Sequence, residues 1–159
     1  MSSVTIVAES IDTSGALAIL HAASDELQQR YGGGGDDAHL SVDELRPPQG
    51  LFLVARHERH LVGGVGLRSI ADPSLRFAEV KRLWVRPDLR REGIGLVLMN
   101  EIESKARELG YVALYLETGP AQPEALALYR TNGWTEIDQY PAGVFCHPQS
   151  HRFTKDLHA

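Results

Sequence analysis

Residues 77–109 run from a β-type stretch through a short glycine-containing turn straight into a long amphipathic helix, and this junction constrains the fold most. Phe77 to Val85 reads as a strand, Arg86-Pro87-Asp88-Leu89 leads to the turn, and Ile94, Leu98, Ile102, Ala106 and Leu109 then recur at helical spacing. Glu101/Lys105 and Glu103/Arg107 are favourable i,i+4 pairs, and Gly110 stands where such a helix stops. A strand that feeds a helix in this way belongs to a mixed α/β sheet rather than to a bundle or a sandwich.

The flanking elements fit that frame. Val4 to Ile11 reads as a first strand, with Asp12 or Thr13 capping a helix that ends near Tyr31. Gly32 to Asp37 reads as a mobile loop, and Ser41 to Leu45 as a second short helix before Pro47-Pro48. Leu51 to Ala55 and Leu61 to Leu67 form a hairpin around His57-Glu58-Arg59-His60. Tyr111 to Glu117, Trp134 to Asp138 and His151 to Leu157 are the remaining strands, and Pro123 opens a helix that ends at Asn132-Gly133. The expected architecture is one α/β domain over 1–159, with six or seven strands and about four helices.

Composition narrows the function classes. Sixteen Lys and Arg against twenty-one Asp and Glu leave a net charge of −5, which argues against a global grip on nucleic acid or anionic lipid. A lone cysteine, Cys146, makes no internal disulfide and no paired-thiolate metal site, so no metal and a cytoplasmic setting are expected. No signal-peptide pattern or membrane-length apolar run is present in the sequence.

Charge is distributed unevenly, however. Lys81, Arg82, Arg86, Arg90 and Arg91 fall within eleven residues that hold a single acid, Asp88, a local charge of about +4. Beside them, glycines at the start of a helix leave backbone N–H groups free, so Arg91 to Leu96 read as an anion cradle. A mononucleotide P-loop is excluded, because Leu96-Val97 stand where Lys and Ser or Thr are needed. A dinucleotide fingerprint is disfavoured by Leu98 and by the chain's length. Glycine spacing alone equally fits a tight turn with no ligand.

The wider context is more specific. Leu83-Trp84-Val85-Arg86-Pro87 followed by Arg90-Arg91-Glu92-Gly93-Ile94-Gly95, and Ala125-Leu126-Ala127-Leu128-Tyr129 followed by Gly133-Trp134, resemble the two signature blocks of the GCN5-related N-acetyltransferase family. The resemblance covers roughly Leu51 to Asp138. It implies acetyl transfer from acetyl-CoA to a primary amine by direct attack in a ternary complex, with CoA as product. It further implies that the pantetheine arm pairs with the backbone at Leu83, Trp84 and Val85, and that the pyrophosphate lies on Arg91, Gly93, Ile94, Gly95 and Leu96 with Arg90 adding charge. Homodimers are frequent in that family.

Amine acylation needs a base, because an alkylamine has a pKa of about 10.4, and a donor for the leaving sulfur. By the resemblance, Glu79 is the expected base and Tyr129 the expected acid. Period-two alternation puts Glu79 on the strand face of Leu83 and Val85 unless a bulge intervenes. The competing readings are a surface carboxylate paired with Lys81 or Arg82, and an aromatic packing residue on a helix. Glu117 and Thr118 at a strand end, and His147 in a loop, are rim positions for an acceptor pocket. Cys146 beside His147 is a poor nucleophilic dyad, since neighbours on an extended chain point apart. A non-catalytic acyl-CoA-binding module would keep the cradle without using Glu79 or Tyr129.

Overall fold

The computed structural model describes residues 3–32 and 40–158, so the glycine run from residue 33 onward, expected as a mobile loop, lies outside the described residues. Seven strands form one sheet: β1 (Thr5–Ala8), β2 (Leu51–His57), β3 (His60–Ile70), β4 (Phe77–Val85), β5 (Ala113–Thr118), β6 (Thr135–Ile137) and β7 (His151–Asp156). Their spatial order is β1-β2-β3-β4-β5-β7-β6. Every neighbouring pair is antiparallel except β4 and β5.

Three α-helices accompany the sheet among the described residues, α1 (Ser14–Tyr31), α2 (Ile94–Glu108) and α3 (Pro123–Thr131). The Thr13 hydroxyl caps α1 by accepting from Ala16 N at 3.1 Å. The fourth helix expected at Ser41 to Leu45 is instead one 3-10 turn, Val42–Leu45. Pro47 holds the preceding Arg46 in extended backbone, φ −97° and ψ 146°, so no α-helix can propagate through it. The His57 to His60 stretch is a tight hairpin turn, with Glu58 and Arg59 both at positive φ.

The sheet separates two apolar layers. On one face Val65, Leu67, Val80, Leu114, Leu116 and Phe153 pack with Leu98 and Ile102 of α2 and Tyr129 of α3. On the other, Phe52 and Val54 pack with Ile19 of α1 and with Leu45. Each fully buried aliphatic or aromatic side chain adds about 1.5–3 kcal/mol to this assembly.

Two irregularities in β4 create the functional geometry. Gly66 pairs with Lys81 and Gly64 with Trp84, so Arg82 and Leu83 together oppose Val65 as a bulge, with Arg82 at φ 59°. The bulge reverses the expected parity. Glu79 and Lys81 share a face with Arg68, Gly66 and Trp84, whereas Val80 and Val85 share the α2 face. Moreover, β4 pairs with β5 only from Phe77 to Glu79 against Ala113 to Tyr115. Beyond that point the two strands part.

Candidate active site

A cleft of about 1140 Å³ fills the splay between β4 and β5. Val80 to Val85 line one wall and Leu116 to Gly119 the other, and the start of α2, one side of α3, the end of α1 and residues 147–150 complete it. Every residue expected at the cofactor site, from Leu83 to Leu96, reaches this cleft, as do Tyr129, Glu117, Thr118 and His147. Glu79 does not.

Backbone shapes the segment expected to cradle an anion. Arg91 at φ 69° and Gly93 at φ 88° turn the chain sharply into α2, a helix with no side-chain cap. Its first N–H groups therefore keep their donors and the positive end of the helix dipole faces the turn. Gly93 belongs at this point because a left-handed backbone costs a side-chain-bearing residue stability. At Gly95 an added Cβ would only touch Leu128, at 3.5 Å, so what glycine supplies there is a bare surface.

The cation count of the linear sequence does not carry over into space. Arg86 is paired with Asp88 at 2.7 Å, Lys81 is buried 4.0 Å from Glu79, and Arg82 is buried at the bulge. Arg90 donates to the Val85 carbonyl at 2.8 Å and to Glu26 of α1 at 2.5 Å. Of the five, Arg91 is exposed and the Arg86 side chain is 40% exposed. Glu26, 64 residues away in sequence, gave no local sign of joining this group, because an i,i+4 pair with Arg30 reads as a solvated helix face.

Glu79 is fully buried, at 0% exposure. Arg68 Nε lies 2.9 Å from its Oε1, and the Tyr140 hydroxyl donates to its Oε2 at 2.7 Å. Glu44 faces the same Arg68 at 3.1 Å. Neither sequence-based reading of Glu79 describes this arrangement, since the side chain is neither at the surface nor in the cleft wall. Both oxygens serve an internal ion-pair network that ties β3, β4, the 3-10 turn and the segment after β6 together.

Glu117 is the carboxylate that lines the cleft. Glu79 pairs with Tyr115, so Glu117 lies on that same face of the sheet, two residues nearer the open end. Its Oε2 accepts from His147 N at 2.8 Å and from Ser150 Oγ at 2.7 Å, while Oε1 has no partner among the described residues. Arg152 steadies the loop by donating to the carbonyls of Asp138 and His147 at 2.6 and 2.7 Å.

Tyr129 approaches from the other face. Its ring packs against Trp134 and Phe153 at centroid distances of 5.9 and 5.6 Å, and it is 5% exposed. The hydroxyl makes no hydrogen bond among the described residues, and burial pushes the phenol well above the ordinary tyrosine range, so it stays protonated. Thr118, on the Leu116 face of β5, also carries a buried hydroxyl without a partner among the described residues. Among the described residues no cluster of His, Cys, Asp and Glu could hold a metal ion, and no helix is long and apolar enough to cross a membrane.

Comparison with known proteins agrees with this geometry. The family model described as the acetyltransferase (GNAT) family matches residues 18–134. An IAA acetyltransferase of Azospirillum brasilense is 41% identical over 106 residues, 67% of this chain and 67% of that protein. Human N-acetyltransferase 8 is 37% identical over 113 residues, which cover 70% of this chain and 48% of the human protein. Among solved structures, a Klebsiella pneumoniae protein assigned to the acyl-CoA N-acyltransferases superposes with a TM-score of 0.79 at 28% identity, covering 97% of both chains. PaiA N-acetyltransferase of Thermoplasma acidophilum, in complex with coenzyme A, superposes with a TM-score of 0.71 at 21% identity, covering 97% of this chain and 99% of that one.

Proposed function

The chain belongs to the acetyltransferase (GNAT) family, and from that premise we propose that it transfers an acetyl group from acetyl-CoA directly to a primary amine within a ternary complex. The observation that carries this reading is the opposed placement of Glu117 and Tyr129 along one splay. An amine attacking a thioester loses a proton on the side from which it enters, and the sulfur needs a donor on the side from which it leaves. One carboxylate oxygen without a partner among the described residues, and one neutral phenol, line the cleft from opposite faces of the sheet, which supports assigning them those two tasks.

In this mechanism the open amides at the start of α2 bind the pyrophosphate, and the unpaired edge of β4 from Leu83 to Val85 orients the pantetheine arm. Glu117 takes the ammonium proton, directly or through one water, and the amine nitrogen bonds to the acetyl carbon as the carbon–sulfur bond breaks. Tyr129 donates its hydroxyl proton to the departing sulfur, so CoA leaves as the thiol, and the second proton that the nitrogen sheds on becoming an amide returns to the phenolate through water. In this proposal Glu117 takes the base role expected of Glu79, because Glu79 has no place in the cleft wall and both its oxygens are occupied. Its charge instead anchors Tyr140, which begins the loop that presents His147 and Ser150 to Glu117.

The test is an acceptor screen with acetyl-CoA over small amines and amine-bearing peptides, read by release of free thiol. Thiol release that depends on the amine, with one acetyl transferred per thiol, is the expected result. Tight acetyl-CoA binding with no release over the whole panel would reduce the protein to an acyl-CoA-binding module.

A further inference from the structure

Charged side chains bridge the open end of the splay. α1 packs on one face of the sheet and α3 on the other, yet their ends meet beyond the last paired residues of β4 and β5. Arg30, in the last turn of α1, donates to the Ala121 carbonyl at 2.7 Å and pairs with Glu124 of α3 at 2.6 Å. The Tyr31 hydroxyl accepts from Ala121 N at 3.0 Å and donates to Gln122 Oε1 at 3.2 Å. Its ring presses so close to Gly119 that a Cβ there would fall 2.1 Å from the hydroxyl oxygen, so only glycine permits the contact. Glu26, one turn earlier on α1, reaches both Arg30 at 3.1 Å and Arg90 at 2.5 Å.

Arg90 opens the Arg-x-x-Gly-x-Gly segment, where a cation next to a pyrophosphate is expected. In the structure each of its guanidinium nitrogens is turned toward the protein: Nε to the Val85 carbonyl, Nη2 to Glu26, and Nη1 to Glu124 at 3.9 Å. Two arginines and two glutamates make the group formally neutral. An arriving pyrophosphate therefore meets two carboxylates where the linear sequence shows an excess of cations. The Arg90 and Glu26 side chains are 23% and 24% exposed, so solvent reaches and partly screens their ion pair, whereas a guanidinium on phosphate makes strong charge-assisted hydrogen bonds.

We infer that Glu26 is a placeholder for the pyrophosphate of the cofactor: it holds Arg90 until the phosphates take its place. The exchange leaves the Arg30–Glu124 and Tyr31–Gln122 contacts intact, so α1 stays across the cleft while the Arg90 side opens. Because Glu26 competes for the same guanidinium, it lowers cofactor affinity and speeds departure of the product CoA, a second task for a helix that otherwise only covers the sheet. This inference rests on the acetyl-CoA reading above.

Calorimetric titration of CoA and of dephospho-CoA into the wild-type protein, Glu26→Gln and Asp25→Asn tests it. Asp25 is the neighbouring exposed acid on α1, so its variant makes the same change in net charge without touching Arg90. The expected result is that Glu26→Gln binds both ligands about 3- to 5-fold more tightly, the scale of one surface ion pair, while Asp25→Asn stays within about twofold of wild type. Glu26→Ala should move in the same direction. Unchanged or weaker binding by Glu26→Gln would overturn the inference, as would an equal gain in Asp25→Asn. A gain confined to CoA would also overturn it, since dephospho-CoA keeps the pyrophosphate and lacks only the 3′-phosphate. Failure of the wild-type protein to bind either ligand would instead reject the acetyl-CoA reading itself, and the placeholder role with it.

Discussion

Arg68 and Glu79 face one another across the β3–β4 pair, with Nη2 and Oε1 2.8 Å apart, and the charge of Glu79 is spent inside the protein. Buried pairs of this kind cost much to break singly, because the partner left behind keeps a charge with no solvent to screen it. Glu79→Gln is therefore expected to act first on stability. A loss of about 2 to 4 kcal/mol is predicted, toward the lower end of the range for a broken buried pair because Glu44 still faces Arg68 at 3.1 Å. Thermal melting checks this, with a fall in Tm of about 4–12 °C expected. A melting point equal to wild type would mean that Glu79 is not the internal anchor described here.

Tyr129 should behave in the opposite way. Tyr129→Phe removes a hydroxyl that has no partner among the described residues and leaves the ring packing on Trp134 and Phe153 in place. Stability is expected to hold within about 0.5 kcal/mol, while kcat falls by about 10²-fold and the dissociation constant for acetyl-CoA changes little. Because burial pushes the phenol upward, Tyr129 should cause no loss of activity on the alkaline side before the ordinary tyrosine range is passed. Steady-state kinetics across pH, paired with cofactor titration, measures both effects.

Glu9 supplies a pH-dependent term at the start of α1. Arg56 is the main reason its carboxyl is held below the ordinary glutamate range, with a further hydrogen bond from the Thr13 hydroxyl at 2.8 Å, and burial opposes both. A depressed pKa in the folded state means that the unfolded chain binds more protons in this window, so stability rises with pH there. The contribution of Glu9 is complete above the unfolded value and is lost as pH falls through the folded one. Denaturant unfolding of Glu9→Gln at a series of pH values should therefore show a shallower loss of stability below about pH 4.5 than wild type. Parallel curves would contradict the pairing.

Much of this architecture can be read from local pattern, and what cannot has a common cause. The α2 periodicity, the Glu58-Arg59 hairpin and the proline opening of α3 depend on residues near one another in the chain, so spacing reveals them. The residues expected to hold the cofactor line one cleft for the same reason, since the β4–turn–α2 junction is contiguous. Glu79 was misplaced because one extra residue at Arg82-Leu83 reverses which face every earlier β4 side chain occupies, and no residue in that stretch announces the bulge. The pairing of Arg90 is hidden because its counter-charges come from Glu26 and Glu124 on two other elements. Linear windows count charges that space then pairs.

Glu117 carries the central claim, and one comparison addresses it most directly. With an acceptor chosen by the thiol-release screen, kcat is measured for wild type, Glu117→Gln and Glu79→Gln at a temperature below all three melting transitions, alongside acetyl-CoA affinity. The account predicts a fall of about 10²-fold in kcat for Glu117→Gln with cofactor affinity within about twofold of wild type, and a kcat within about threefold of wild type for folded Glu79→Gln. Wild-type turnover by Glu117→Gln, with activity lost in folded Glu79→Gln, would contradict it.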